Sequence, residues 1–246
     1  MPTVKIEKRN GAFVVDGKNF SGLYPTEYQK VLAEITAPNY KPMEGWMVVG
    51  RGEKPWTILV SNDFAVHAEE VIDCQTMYSA ANFGHGNTDI LDEVATYMLD
   101  VWAPTGNGLT NHMQLAAFSA LRALTGLNVR VMTKSSGAEV VDTAMKTARR
   151  VWWARNGRKT EEELGDSPHF IVAEKAFHGR ALGATSLFEP SDSSRKGFGP
   201  FPRSTTWVPF SDIGAMEKAF QRYSDIASVL LEPIQGEGGI IVPEDD

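Results

Sequence analysis

A single cysteine, Cys74, stands among 246 residues, so no disulfide can form within the chain. That fits a reducing compartment. Long apolar runs are missing too: none approaches the roughly 20 residues of a membrane-spanning helix. The opening Met1-Pro2-Thr3-Val4-Lys5-Ile6-Glu7 lacks the basic-then-apolar order of a secretory signal and the Arg- and Ser-rich character of a transit peptide. The cytoplasm is the expected compartment, with the mitochondrial matrix as the alternative. Basic charge is in deficit, 24 Lys and Arg against 31 Asp and Glu, for a net charge of −7. With no basic run to offset it, nucleic-acid backbones are poor partners, and neither nucleic acid nor membrane is expected to bind. The five histidines show no HxH or HxxxH spacing, so no metal site is read here. Ser135 and Ser136 lack a GxSxG elbow, and neither GxxxxGK[ST] nor GxGxxG occurs. Serine hydrolysis and the common nucleotide loops are thereby set aside.

What is present is an alternation of strands and helices. Residues 1–55 are rich in Gly, Pro and charge and read as an N-terminal arm with short strands, such as Ala12–Val15 before an Asp16-Gly17 turn. Ile58–Val60 and Val71–Asp73 read as further short strands. Ile90, Leu91, Val94, Met98 and Val101 mark one helix by their three- and four-residue steps. Leu115, Phe118, Leu121 and Leu124 mark a second, ending near Gly126. A strand over 129–133 and a long helix over 138–153 follow, then a charged, exposed segment from Arg155 to Ser167. Three apolar strands come next, Phe170–Ala173, Thr206–Val208 and Ala227–Leu231, with a helix from Ile213 to Tyr223 between the last two. Strands apolar on both faces and alternating with helices predict an α/β fold with a mostly parallel sheet covered by helices. Residues 56–246 would form that large domain.

Ligands of such sheets sit at the carboxyl ends of the strands, and three polar clusters fall there. The first is Lys134-Ser135-Ser136-Gly137-Ala138-Glu139, a Ser/Gly turn opening the long helix. Free N–H groups and the positive end of a helix dipole suit a phosphate. The same serines equally suit a plain N-cap. The second is Phe177-His178-Gly179-Arg180. Phe177 is either core or a flat wall for a planar ligand; His178 alone is a weak signal. Arg180 either clamps a carboxylate with its planar fork or makes a structural ion pair. The third is Glu232-Pro233-Ile234-Gln235-Gly236-Glu237-Gly238-Gly239, two carboxylates on a constrained path. A carboxylate out of water needs a partner, an arginine or an N–H group. Asn82-Phe83-Gly84-His85-Gly86-Asn87 reads as a simple turn before a helix at Asp89.

Taken in order, Ser136-Gly137-Ala138-Glu139, Phe177-His178-Gly179-Arg180 and Glu232-Pro233-Ile234-Gln235-Gly236-Glu237 resemble the class III pyridoxal-phosphate aminotransferases, and within them the ornithine-specific branch. Asn39-Tyr40-Lys41-Pro42, Tyr78 to His85 and Gly197-Phe198-Gly199-Pro200-Phe201 add to the likeness, which runs from about residue 38 to the end. Residues 44–75 follow the family pattern loosely, and Thr105 to Asn111 depart from it. The resemblance implies a fold-type-I large domain, incomplete on its C-terminal side, with an N-terminal arm and pyridoxal 5'-phosphate as cofactor. It implies Ser136, Gly137, Ala138, Phe177, His178 and Glu232 as cofactor-binding residues. Tyr40 and Arg180 match groups that hold the substrate α-carboxylate, and Tyr78 matches the aromatic that guides ornithine. Glu237 matches a glutamate that masks a second arginine until 2-oxoglutarate needs it. The expected reaction of the complete enzyme moves the δ-amino group of ornithine to 2-oxoglutarate. The alternatives are an acetylornithine or 4-aminobutyrate type of class III enzyme, or a non-catalytic module of the same fold. The family's Schiff-base lysine, its pyridine-nitrogen aspartate and the partner arginine of Glu237 are expected beyond Asp246. No catalytic lysine is therefore read within the chain, which alone is expected to be inactive. A homodimer is expected, and a companion chain carrying the C-terminal part is the other partner considered, besides amino-acid and 2-oxo-acid substrates.

Overall fold

The structure is a computed structural model and describes residues 6–9, 12–15, 18–19, 30, 34, 46–49, 56–62, 65–71, 74–100, 112–157, 160–165 and 168–243. The chain divides into two compact units, Met1–Leu115 and Ala116–Asp246. The first holds two antiparallel sheets of three strands each. β1 (Ile6–Arg9), β2 (Ala12–Val15) and β3 (Lys18–Asn19) form one. β2 and β3 pair antiparallel with Val15 opposite Lys18, and the expected Asp16-Gly17 turn lies outside the described residues. β4 (Trp46–Val49), β5 (Trp56–Asn62) and β6 (Ala65–Val71) form the other. Of the expected strand Val71–Asp73, Val71 ends β6, and the other two residues lie outside the described residues. Helix α1 (Thr88–Asp100) follows, and Asn87 starts it by accepting the Ile90 N–H on Oδ1 at 3.2 Å.

Helix α2 (His112–Thr125) ends before Gly126, whose φ of +64° suits a glycine helix stop. The expected strand at 129–133 is absent: residues 126–134 are irregular. Its β-branched residues favour an extended chain, but no neighbouring strand among the described residues offers a ladder, and an unpaired strand has nothing to hold it. Helix α3 (Gly137–Arg155) is the longest of the unit. Glu139 stands in its first turn and Arg155 in its last, each at the dipole end that favours its charge. The short α4 (Glu161–Leu164) lies within the expected charged segment and carries a capping box between Thr160 and Glu163.

The sheet that positions the site is parallel, with β7 (His169–Ala173) between β8 (Thr205–Val208) and β9 (Ile226–Leu230). Phe170 pairs with Thr205 on one side and Ser228 on the other. β7 is buried throughout, as a central strand covered on both faces must be. Successive side chains alternate faces, and the core splits accordingly. Phe170 and Val172 pack with Met145, Val141 and Ala148 of α3 and with Leu187 beyond the short helix α5 (Leu182–Ser186). Ile171 and Val208 pack with Ala215, Met216 and Ala219 of α6 (Ile213–Arg222). Helices thus cover both faces of a parallel sheet, the α/β arrangement expected from the alternating pattern. At the amino end of β7, His169 stacks on Tyr223 with centroids 3.8 Å apart and shares a 2.7 Å hydrogen bond between Nε2 and Thr206 Oγ1.

Candidate functional site

The α3 N-terminus opens on a capped serine turn. Ser136 is extended (φ −150°, ψ 159°), and its hydroxyl accepts the Glu139 N–H at 3.3 Å. The Glu139 carboxylate reaches back past the turn and accepts the Ser135 N–H at 2.8 Å. Both capping interactions leave the first two helical N–H groups alone. Among the described residues no acceptor takes the N–H of Gly137 or Ala138. The space over Gly137 is open, since a Cβ built there meets nothing within 4 Å.

The loop after β7 is seated on that same turn. Gly179, at φ +109°, lies so close to the helix that a Cβ on it would stand 2.7 Å from Ala138 Cβ and 2.9 Å from its Cα. Only glycine fits this approach, for lack of space and because of its φ. The contact brings Phe177-His178-Gly179-Arg180 onto Ser136-Gly137-Ala138, although no strand delivers the latter.

Glu232, beyond β9, ties the third cluster in. Its two oxygens accept the Phe177 N–H at 2.8 Å and the Gly236 N–H at 3.1 Å. The partner that its carboxylate finds is therefore the backbone of two neighbouring loops. Burial holds the His178 imidazole below its ordinary pKa, with the nearby Glu232 carboxylate pulling the other way. Its Nε2 is buried with no hydrogen-bond partner, and the ring lines a cavity of about 320 Å³ between α3 and β9.

Phe177 is half-buried. Its ring stacks on Phe188 (centroids 5.8 Å apart, 29° between planes), and the exposed Arg180 places Cζ 5.3 Å from the Phe177 centroid. Glu237 is exposed near the tip of a turn that the Gln235–Ile241 pair closes with two backbone hydrogen bonds, at 3.0 and 2.9 Å. Tyr78, in the other unit, is 76% exposed. It sits in a run of four non-glycine residues, Thr76 to Ser79, with φ of 49, 48, 54 and 72°. Each such residue costs about 1–2 kcal/mol in an L-amino acid, so the segment around Tyr78 is strained. Tyr40 lies outside the described residues.

Three residues passed over in the sequence prove structural to the site. Gln235 is fully buried and donates from Nε2 to the Glu174 carbonyl at 2.7 Å. Phe188, 4% exposed, backs Phe177. Asp142, one turn into α3, faces Gly183 of α5 and has a buried Oδ1 with no hydrogen-bond partner. Gln235 stood inside a motif already singled out; nothing local distinguishes Phe188 from an ordinary core residue.

These groups fit a phosphate carrying a planar ring: two free N–H groups with open space above them, and an aromatic side chain on the loop packed against them. The profile of the family described as "Aminotransferase class-III" matches residues 63–246. The ornithine aminotransferase of Brevibacillus brevis is 34% identical over 212 residues, covering 85% of this chain and 48% of that protein. That of Bordetella pertussis is 32% identical over 219 residues, 89% of this chain and 49% of that protein. The chain spans about half the length of these curated relatives. An ornithine aminotransferase structure from Toxoplasma gondii, described with PLP at its active site, superposes with a TM-score of 0.75 at 24% identity, over 90% of this chain and 48% of that one. Acetylornithine aminotransferase from Elizabethkingia anophelis gives 0.64 at 24% identity, with the same coverage. At these identities the structures speak for the fold, which is fold type I. By the match over residues 63–246, the chain belongs to the class III aminotransferases, a family dependent on pyridoxal phosphate.

Proposed function

We propose that this chain supplies the phosphate-, ring- and carboxylate-binding residues of an ornithine aminotransferase. The complete enzyme transfers the δ-amino group of ornithine to 2-oxoglutarate, giving glutamate semialdehyde and glutamate. The observation that carries the reading is the packing of Gly179 on Ala138, which joins the loop of Phe177 and Arg180 to a helix end with two unused N–H groups. The 32–34% identity to ornithine aminotransferases supports the ornithine branch.

Gly137 and Ala138 hold the cofactor phosphate through backbone N–H groups, with Ser136 fixing the turn. Phe177 lies against the cofactor ring, and the His178 imidazole, neutral by burial, stands beside it. Glu232 keeps the Phe177 backbone in place. Arg180 and Tyr40 bind the α-carboxylate, Tyr78 guides the ornithine chain, and Glu237 masks an arginine from outside residues 1–246. Bound pyridoxal phosphate supplies the electron sink. The lysine that carries the proton and the aspartate at the pyridine nitrogen also come from outside residues 1–246, so this chain alone binds the cofactor weakly and does not turn over. The enzyme works as a cytoplasmic homodimer. Exposed apolar residues on α1 and α2, among them Leu91, Leu99 and Leu124 at 55, 88 and 84%, support association with a second copy.

The test is glutamate formation from 2-oxoglutarate by the full-length protein with ornithine, N-acetylornithine or 4-aminobutyrate as donor. Ornithine is expected to give the highest kcat/KM. A higher value for either other donor would move the enzyme to that branch. No glutamate from any donor would leave a non-catalytic module.

A further inference from the structure

Arg180 is exposed and stands beside two aromatic rings. Among the described residues its guanidinium makes no hydrogen bond to the protein. Two aromatic faces hold it: Cζ lies 5.3 Å from the Phe177 centroid and 5.5 Å from that of Phe188. The nearby anion is Asp192, whose carboxyl is held below its usual range first by the Ser194 hydroxyl and also by the charge of Arg180. Asp192 is occupied elsewhere, accepting on Oδ1 from the Ser194 N–H at 2.7 Å and from the Ser194 hydroxyl. A cation on aromatic faces keeps all five N–H donors unused, whereas a carboxylate partner would consume two and have to be displaced by a substrate.

Phe188 is the fixed member of this trio. Its N–H donates to the Thr185 carbonyl at 3.2 Å, and its carbonyl accepts from Arg195. The preceding Leu187 is fully buried, with its carbonyl accepting from Trp207 Nε1 at 2.7 Å. Phe177 is anchored separately through Glu232. Phe188 thus relates Arg180 to the sheet core, while Phe177 relates it to the loop.

We propose that Phe188 is a positioning residue for Arg180: its buried ring fixes the guanidinium so that the N–H edge meets the carboxylate of an amino-acid or 2-oxo-acid substrate. This rests on Arg180 as the carboxylate clamp. The role is electronic as well as steric, so a side chain of similar volume without a π face does not replace it.

The experiment compares Phe188→Leu, Phe188→Tyr and Arg180→Lys in the full-length holoenzyme. Phe188→Leu is expected to raise KM for carboxylate substrates about two- to five-fold, the range a partly exposed cation–π contact supports, with kcat unchanged. Direct titration of a non-reacting dicarboxylate should weaken by the same factor. Phe188→Tyr should restore both, and an amine donor without a carboxylate should show no change. The double variant Arg180→Lys/Phe188→Leu should be no worse than Arg180→Lys. If Phe188→Leu matches wild type while Arg180→Lys raises KM, the Phe188 proposal is overturned and the clamp stands. If Arg180→Lys leaves KM and dicarboxylate binding unchanged, the clamp itself falls, and the proposal with it. A Phe188→Leu defect that extends to the amine without a carboxylate would mark Phe188 as a merely structural residue.

Discussion

Replacing Gly179 with alanine strikes the contact that assembles the site. The added Cβ would stand 2.7 Å from Ala138 Cβ and 2.9 Å from Ala138 Cα, inside van der Waals contact with helix backbone that cannot rotate away. The backbone there has φ +109°, which L side chains rarely adopt. Holding alanine in a disfavoured region costs of order 1–3 kcal/mol. Overpacking adds about 1–3 kcal/mol. The total, about 2–6 kcal/mol, is a large share of a typical domain's stability. In urea, with a mid-range slope of about 2 kcal/mol/M, the unfolding midpoint should fall by roughly 1–3 M. Adding Ala138→Gly removes the nearer atom but neither the Cα at 2.9 Å nor the backbone strain, so rescue should be partial. Gly137→Ala is the control: a Cβ there meets nothing within 4 Å, and stability should hold or rise slightly. A Gly179→Ala protein that unfolds with wild type would refute the seating of the Phe177–Arg180 loop on α3.

Glu232→Gln leaves one side-chain oxygen for two backbone donors, Phe177 N–H and Gly236 N–H. A loss of about 1–3 kcal/mol in denaturant titration is expected; none would mean the two loops are held without it. Phe177→Ala should weaken retention of pyridoxal phosphate about two- to twelve-fold, the worth of one aromatic contact, while the protein stays folded; equal retention would count against the ring contact. Burial lowers the pKa of both His178 and His169, helped at His169 by Arg222 and opposed by Asp225. The unfolded chain then binds more protons between the lowered values and the ordinary 6.5, so stability rises with pH in that window and falls as acid is added. His178→Gln should shrink the difference between denaturation midpoints at about pH 7.5 and pH 5.5; a difference as large as wild type's would assign the effect elsewhere.

The buried core of the sheet was legible because β7 is apolar at nearly every position, and α3 because Ser136 caps a run of apolar residues at helical spacing. Residues 129–133 were misread as a strand for a reason local sequence does not contain, the want of a pairing partner. Glu232 was legible as a carboxylate in need of a partner; that the partner is the Phe177 backbone depends on a contact 55 residues away in sequence. Gly179 illustrates the same limit. Its place in a loop marks a turn, but the atom that excludes a side chain belongs to Ala138, which arrives by tertiary packing. Phe188 and Gln235 escaped because burial and a backbone partner, not residue type, give them their roles.

The central claim is that the N–H groups opening α3 bind the cofactor phosphate, and Gly137→Pro tests it most directly. Proline at the first helical position removes one N–H while keeping the helix, and the extended Ser136 before it is compatible with a following proline. The measurement is the dissociation constant of pyridoxal phosphate and of pyridoxal, which lacks the phosphate, in full-length wild type and variant. Losing one hydrogen bond to a charged group, about 1.5–3 kcal/mol, should weaken pyridoxal phosphate roughly 10- to 100-fold and leave pyridoxal unchanged. An unchanged affinity for pyridoxal phosphate, or equal losses for both ligands, would contradict the account.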